Sequence, residues 1–188
     1  MPAPQTKGLQ FRSFLRALGK IRGDRAVADT LAALRPELGD ALRIGTLVTG
    51  GWYPLEWYRE LHVAAQKATR EGVELARAVS RAGIQDDFRG VYRLITFALS
   101  PQAIIRWAPR IVSLYFDTGG CVIERAEAGF ARGRFVGFAG FDRNLWEDLI
   151  GGITGVMELA GGRQLTTHVI AGGTDGHVGM TIEVRWKT

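Results

Sequence analysis

A chain of 188 residues with a formal charge of +5 is long enough to bury a real core. Its single cysteine, Cys121, excludes an intrachain disulfide framework and a thiolate zinc site, and it suits a reducing cytoplasm. No apolar run approaches the roughly 20 residues that a membrane span needs, and residues 1–10 lack the apolar centre of a secretion signal.

In chain order, residues 1–8 read as flexible. Residues 9–20 read as an amphipathic helix. Phe11, Phe14, Leu15 and Leu18 make one face, and Arg12, Arg16 and Lys20 step along another at four-residue spacing. With Lys7, Arg22 and Arg25 this is a dense run of positive charge. It suits a solvated face, or attraction to an acidic partner or anionic lipid. Aromatic residues are not interleaved with it as a single-stranded nucleic-acid platform requires, so no nucleic-acid partner is expected. Asp24 is placed to cap a second helix to residue 35, with Val27, Leu31 and Leu34 inward. Pro36 starts another helical turn toward Leu42. Residues 44–51, apolar and glycine-rich, read as a connection. The expected organisation is a helical segment over residues 1–43 and an α+β domain over 44–188, packed as one unit.

Gly50, Gly51 and Pro54 break the chain before a helix over residues 54–70 that buries Leu55, Tyr58, Leu61 and Ala65. A further helix over 73–82 should end at Gly83. Asp86 or Asp87 is then placed to cap residues 88–99. Ser100 and Pro101 open a helix with the stripe Ile104, Trp107, Ile111, Leu114 and Tyr115, which Pro109 should kink or shorten.

Residues 121–129 and 134–141 read as two strands around a turn at Arg132 and Gly133. Asp142 or Asn144 caps a helix over 145–160 that Gly161 and Gly162 end. Gly151, Gly152 and Gly155 lie in its middle, where glycine costs about 1 kcal/mol against alanine. Close packing on the adjacent hairpin is the expected reason, ahead of a ligand pocket. The last segment alternates: Val178, Met180, Ile182, Val184 and Trp186 are apolar, while Thr181, Glu183 and Arg185 are polar. That period of two marks a strand buried on one face. The fold class is α+β: N-terminal helices packed on a small antiparallel sheet built from two hairpins flanking one helix.

Chemistry-bearing residues are sparse. His62, His168 and His177 have no metal-ligand spacing, although a terminal hairpin could set His168 across from His177. His62 on its helix reads as a structural histidine, with a haem ligand as the sharper alternative. Cys121 reads as a small buried residue rather than a nucleophile. Asp86–Asp87 and Glu147–Asp148 are accounted for as helix-start carboxylates. The glycine loop at Gly172, Gly173 and Gly176 leads into no helix and so cradles no phosphate. No catalytic residue, metal or cofactor is assigned.

The segment Trp52-Tyr53-Pro54-Leu55-Glu56-Trp57-Tyr58, the helix over 144–161 and the ending Val184-Arg185-Trp186 resemble a myxobacterial family of unknown function. That family is related to the fold of haem-nitric-oxide-binding domains, vinyl-4-reductase domains and Golgi transport-particle subunits. The resemblance covers residues 44–186 and implies an apolar cavity and helix-mediated dimers. It implies no site: Tyr115-Phe116-Asp117-Thr118-Gly119 lacks the Tyr-x-Ser-x-Arg haem contact. One cysteine on a strand matches neither an acylated helix cysteine nor a cysteine cluster.

The reading is a non-enzymatic binding or regulatory module with an apolar pocket between helices and sheet, acting as a homodimer or on an apolar small molecule or protein partner. Trp57, Tyr58, Trp107, Tyr115, Phe138 and Trp146 are the expected pocket aromatics. The alternatives are a membrane- or acidic-partner-associated adaptor using Arg12, Arg16 and Lys20, and an enzyme of unknown type.

Overall fold

The computed structural model describes residues 3–89 and 100–187. The start of the chain is tied down. Strand β1 (Gln5–Lys7) pairs antiparallel with β2 (Trp52–Pro54). The buried Thr6 hydroxyl donates to the Tyr115 carbonyl at 2.9 Å. Residues 5–7 are therefore not the loose arm their composition suggests, because a ladder satisfies their backbone groups.

Helix α1 (Gly8–Arg22) buries Phe11, Phe14 and Leu18 of the expected face, while Leu15 is half-buried at its edge and Ala17 is buried as well. Helices α2 (Asp24–Ala32) and α3 (Pro36–Ile44) follow. Asp24 is the first helical residue of α2 rather than its cap, and no side chain caps that end. Helix α4 (Leu55–Thr69) starts one residue after Pro54 and sets Tyr58 edge-on to Phe11 and Phe14, at 5.3 and 6.0 Å between ring centroids.

Helix α5 (Glu74–Arg89) runs through Gly83 without stopping. A methyl at Gly83 would stand 3.3 Å from the Ser13 carbonyl, so the glycine serves the close crossing of α1 over α5. Asp86 and Asp87 consequently lie inside the helix and do not cap one. The helix expected over 88–99 falls mostly outside the described residues. Helix α6 (Pro101–Tyr115) is capped by Ser100, whose hydroxyl accepts from the Ala103 amide at 3.3 Å; it continues past Pro109.

Strands β3 (Gly120–Glu127) and β4 (Phe130–Val136) turn at Ala128 and Gly129, where Gly129 takes φ +76°. Gly133 sits within β4 opposite Ile123, so the turn at Arg132 and Gly133 is displaced by several residues. Helix α7 (Arg143–Leu159) is capped by Asp142, which accepts from the Leu145 amide at 3.0 Å. Strands β5 (Arg163–Gly172) and β6 (Met180–Lys187) close an antiparallel sheet of order β3-β4-β6-β5. Met180, Ile182, Val184 and Trp186 are buried, as their alternation predicts. Val178 is not: it precedes the strand in the turn and is 59% exposed, while its carbonyl accepts from the Phe138 amide. The fold is α+β, with two hairpins flanking α7 and helices against the inner face of the sheet.

Candidate functional site

The glycines of α7 explain themselves in this packing. Helix α5, not the hairpin, lies against them. A methyl at Gly151 would fall on the Arg77 backbone carbonyl, and one at Gly155 would stand 2.6 Å from the Arg81 carbonyl. Gly152 differs: a methyl there would meet only the Ser80 hydroxyl, at 3.5 Å. Two glycines thus bring the helices together, and the third faces an opening between them.

That opening is a cavity of about 80 Å³ between α1, α5, α6, α7 and β4. Its wall is mostly aliphatic: Ile84 from α5, Ile104, Ile105, Ile111 and Val112 from α6, Leu149, Ile153, Val156 and Met157 from α7, with Phe135 from β4. Tyr115 and Phe116 close one side. A smaller pocket adjoins it and shares Gln10, Ser80, Ile84 and Tyr115.

Polar side chains gather at the edge of this apolar space. Asp148, only 3% exposed, lines the cavity. Its Oδ1 accepts from the Tyr58 hydroxyl at 3.0 Å and stands 3.5 Å from His62 Nε2. Burial, and then the charge of Asp148, holds the Tyr58 hydroxyl well above its ordinary range. Around the smaller pocket, Ser13 Oγ donates to Asp87 Oδ1 at 2.5 Å. Burial raises Asp87 from 3.8 to about 6, against the opposing pull of Ser13, Arg16 and Tyr115.

Of the six aromatics expected at a pocket, Tyr115 lines the main cavity and Tyr58 the smaller one. Phe138 and Trp146 are fully buried elsewhere, among Phe116 and Phe141, with ring centroids 4.7–6.1 Å apart. Trp57 stacks on Tyr53, and Trp107 is 41% exposed beside Arg110. Aromatic rings satisfy one another in the core, so the cavity is left to aliphatic side chains. His168 pairs in register with Glu183, and His177 lies in the turn, so the hairpin does not join them. Cys121 is buried, and burial pushes its thiol up to about 11. Arg12, Arg16 and Lys20 are on the surface; Lys20 pairs with Asp86 at 3.2 Å, and Arg12 reaches the Gly45 carbonyl at 3.4 Å. Sequence reasoning missed Gln10, Ser80 and Asp148, and it explained Asp148 as a helix-start charge. The one local signal was Gly152, a costly helical glycine with nothing packed hard against it.

No family model and no curated protein matches the chain. Solved structures do. The oxygen complex of an oxygen-binding H-NOX domain related to soluble guanylate cyclases is similar with a TM-score of 0.72 at 13% identity, covering 97% of this chain and 95% of that one. A mutant, unliganded Fe(II) H-NOX protein from K. algicida gives 0.71 at 12% identity over 97% of each chain. A mutant H-NOX from T. Tengcongensis gives 0.70 at 12%, over 97% of this chain and 98% of that one. The fold is therefore that of H-NOX domains.

Two further similar structures concern the distortion of haem, one of them in the H-NOX family, so the cavity wall is tested for that group. Haem needs an axial histidine, cysteine, methionine or tyrosine. None of the three histidines and not the cysteine lines the cavity. Tyr115 and Met157 do, but Tyr115 is engaged with Asp87, and no histidine stands with Met157 on the wall to complete a Met/His pair. A space of about 80 Å³ is also far smaller than a porphyrin. Among the described residues, the cavity wall does not fit haem.

Proposed function

We propose that this chain is a non-enzymatic binding or regulatory module that holds a small apolar molecule in the cavity between α5, α6, α7 and the sheet. The carrying observation is the cavity wall itself, aliphatic on nearly every side with a few buried polar groups at one edge. Such a space in a packed interior costs stability, and apolar cavities of this kind take up small apolar molecules. The Cys121 thiol is held protonated near neutral pH, and no cluster of three metal-ligating side chains occurs among the described residues. Both features favour binding over catalysis. The basic face of α1 is a weaker basis for function, because the apolar face that would enter a membrane is already buried against Tyr58. Homodimerisation, a cytoplasmic setting and joint folding of residues 1–43 with 44–188 belong to this reading as expectations.

Thermal unfolding under increasing xenon pressure tests it. The transition should rise saturably in the wild type. It should not rise in Ala108→Leu, which puts a larger side chain on the cavity wall. No shift in the wild type, or an equal shift in both, would reject a cavity-binding role.

A further inference from the structure

The polar edge of the cavity narrows the class of ligand; this rests on the binding role proposed above. Three polar side chains from three helices line it: Gln10 of α1, Ser80 of α5 and Asp148 of α7. Asp148 is almost completely buried, and its Oδ1 is occupied by Tyr58 and faced by His62. No hydrogen bond among the described residues ends on its Oδ2. None is made by the Gln10 amide or the Ser80 hydroxyl either, and all three residues line the cavity. Buried polar groups seldom go unpaired, because each lost hydrogen bond leaves a desolvated donor or acceptor. Polar groups on the wall that carry no such bond are available to a molecule that enters the cavity.

The chemistry of the three is directional. Asp148 Oδ2 is an acceptor, Ser80 donates and accepts, and Gln10 offers both an acceptor oxygen and donor hydrogens. Among the described residues, no lysine, arginine or histidine lines the space. A carboxylate entering it would find no counter-charge and would face Asp148, with Asp87 nearby in the adjoining pocket. The body of the ligand is limited by volume: about 80 Å³ is roughly half the 150 Å³ of a cavity that takes benzene. We infer that the cavity selects a short, uncharged molecule with an aliphatic body and a hydrogen-bond-donating head, of the alcohol or primary-amide class, and rejects the corresponding acid. The head donates to Asp148 Oδ2 and accepts from Ser80 or Gln10. Tyr58 and His62 act as positioning residues that fix the other carboxyl oxygen.

The test is an amide-resolved NMR titration of the full chain with four probes of similar size: 1-butanol, butanamide, butanoate and 1-chlorobutane. 1-Butanol and butanamide should perturb resonances around Ser80, Gly152 and Val156. They should bind about ten-fold more tightly than 1-chlorobutane, the gain expected of one net hydrogen bond. Butanoate should not bind. Ser80→Ala should lower the ratio of 1-butanol to 1-chlorobutane affinity. Asp148→Asn keeps an acceptor for Tyr58 while presenting a donor to the cavity, so it should reduce discrimination against butanoate. Equal binding of 1-butanol and 1-chlorobutane would overturn the head-group assignment while leaving an apolar binding cavity. Binding by none of the probes, with all variants folded by their spectra, would overturn both.

Discussion

Adjacent glycines in α7 should respond to the same substitution with opposite signs. Gly152→Ala gains about 1 kcal/mol of helix propensity. Its new methyl makes an ordinary contact with the Ser80 hydroxyl at 3.5 Å and fills a little of the cavity. The variant should therefore be more stable than the wild type by roughly 0.5–1 kcal/mol. Gly151→Ala gains the same propensity, but its methyl lands on the Arg77 backbone, 2.9 Å from the Cα and closer still to the carbonyl. A backbone cannot rotate away as a side-chain tip can, so α5 must shift along its whole contact with α7. That places the variant at the upper end of the roughly 1–3 kcal/mol range for overpacking, which exceeds the gain. With a urea slope of about 2 kcal/mol/M, the two midpoints should differ by roughly 1 M. Equilibrium urea unfolding of both variants reads this directly. A Gly151→Ala midpoint at or above that of the wild type would refute the close α5–α7 packing.

Three further outcomes follow from the same structure. Asp87 holds its proton up to about pH 6 in the folded chain, against 3.8 ordinarily. The native state therefore binds more protons than the unfolded one between those values, and stability is lost as pH rises from about 4 to 6, by up to roughly 3 kcal/mol. Asp87→Asn removes this term, so its midpoint relative to wild type should climb between pH 4 and 7; a constant difference would contradict the assignment. Ile182→Ala, at a fully buried position of β6, should cost roughly 2–5 kcal/mol, whereas Thr181→Ala should cost little; equal small effects would reject the strand register. Titration with hemin should give no stoichiometric Soret band of ligated haem, and the appearance of one would overturn the ligand-set argument.

The strand β6 was legible because a half-buried strand imposes a period of two on a short local stretch, and Met180, Ile182, Val184 and Trp186 follow it. Helix α7 was legible for a similar reason, with Asp142 as cap and glycines beyond its end. Turn positions were less so: Arg132-Gly133 and Ala128-Gly129 both present a glycine, and only the pairing of β4 with β6 selects the second. Gly83 looked like a stop because a glycine that admits a neighbouring helix cannot be told locally from one that ends its own. The site was the least legible part. Gln10, Ser80 and Asp148 come from three helices far apart in sequence, and no periodicity links them. Aromatic residues suggested a pocket, yet Phe138 and Trp146 pack with Phe116 and Phe141 instead.

A crystal of the full chain under xenon pressure tests the central claim most directly, because xenon enters dry apolar cavities without needing a particular head group. The account predicts a xenon peak within van der Waals reach of Ile84, Ile104, Val156 and Met157, the side chains that wall the cavity. Xenon found only at surface positions, with that space filled by rearranged side chains, would contradict it.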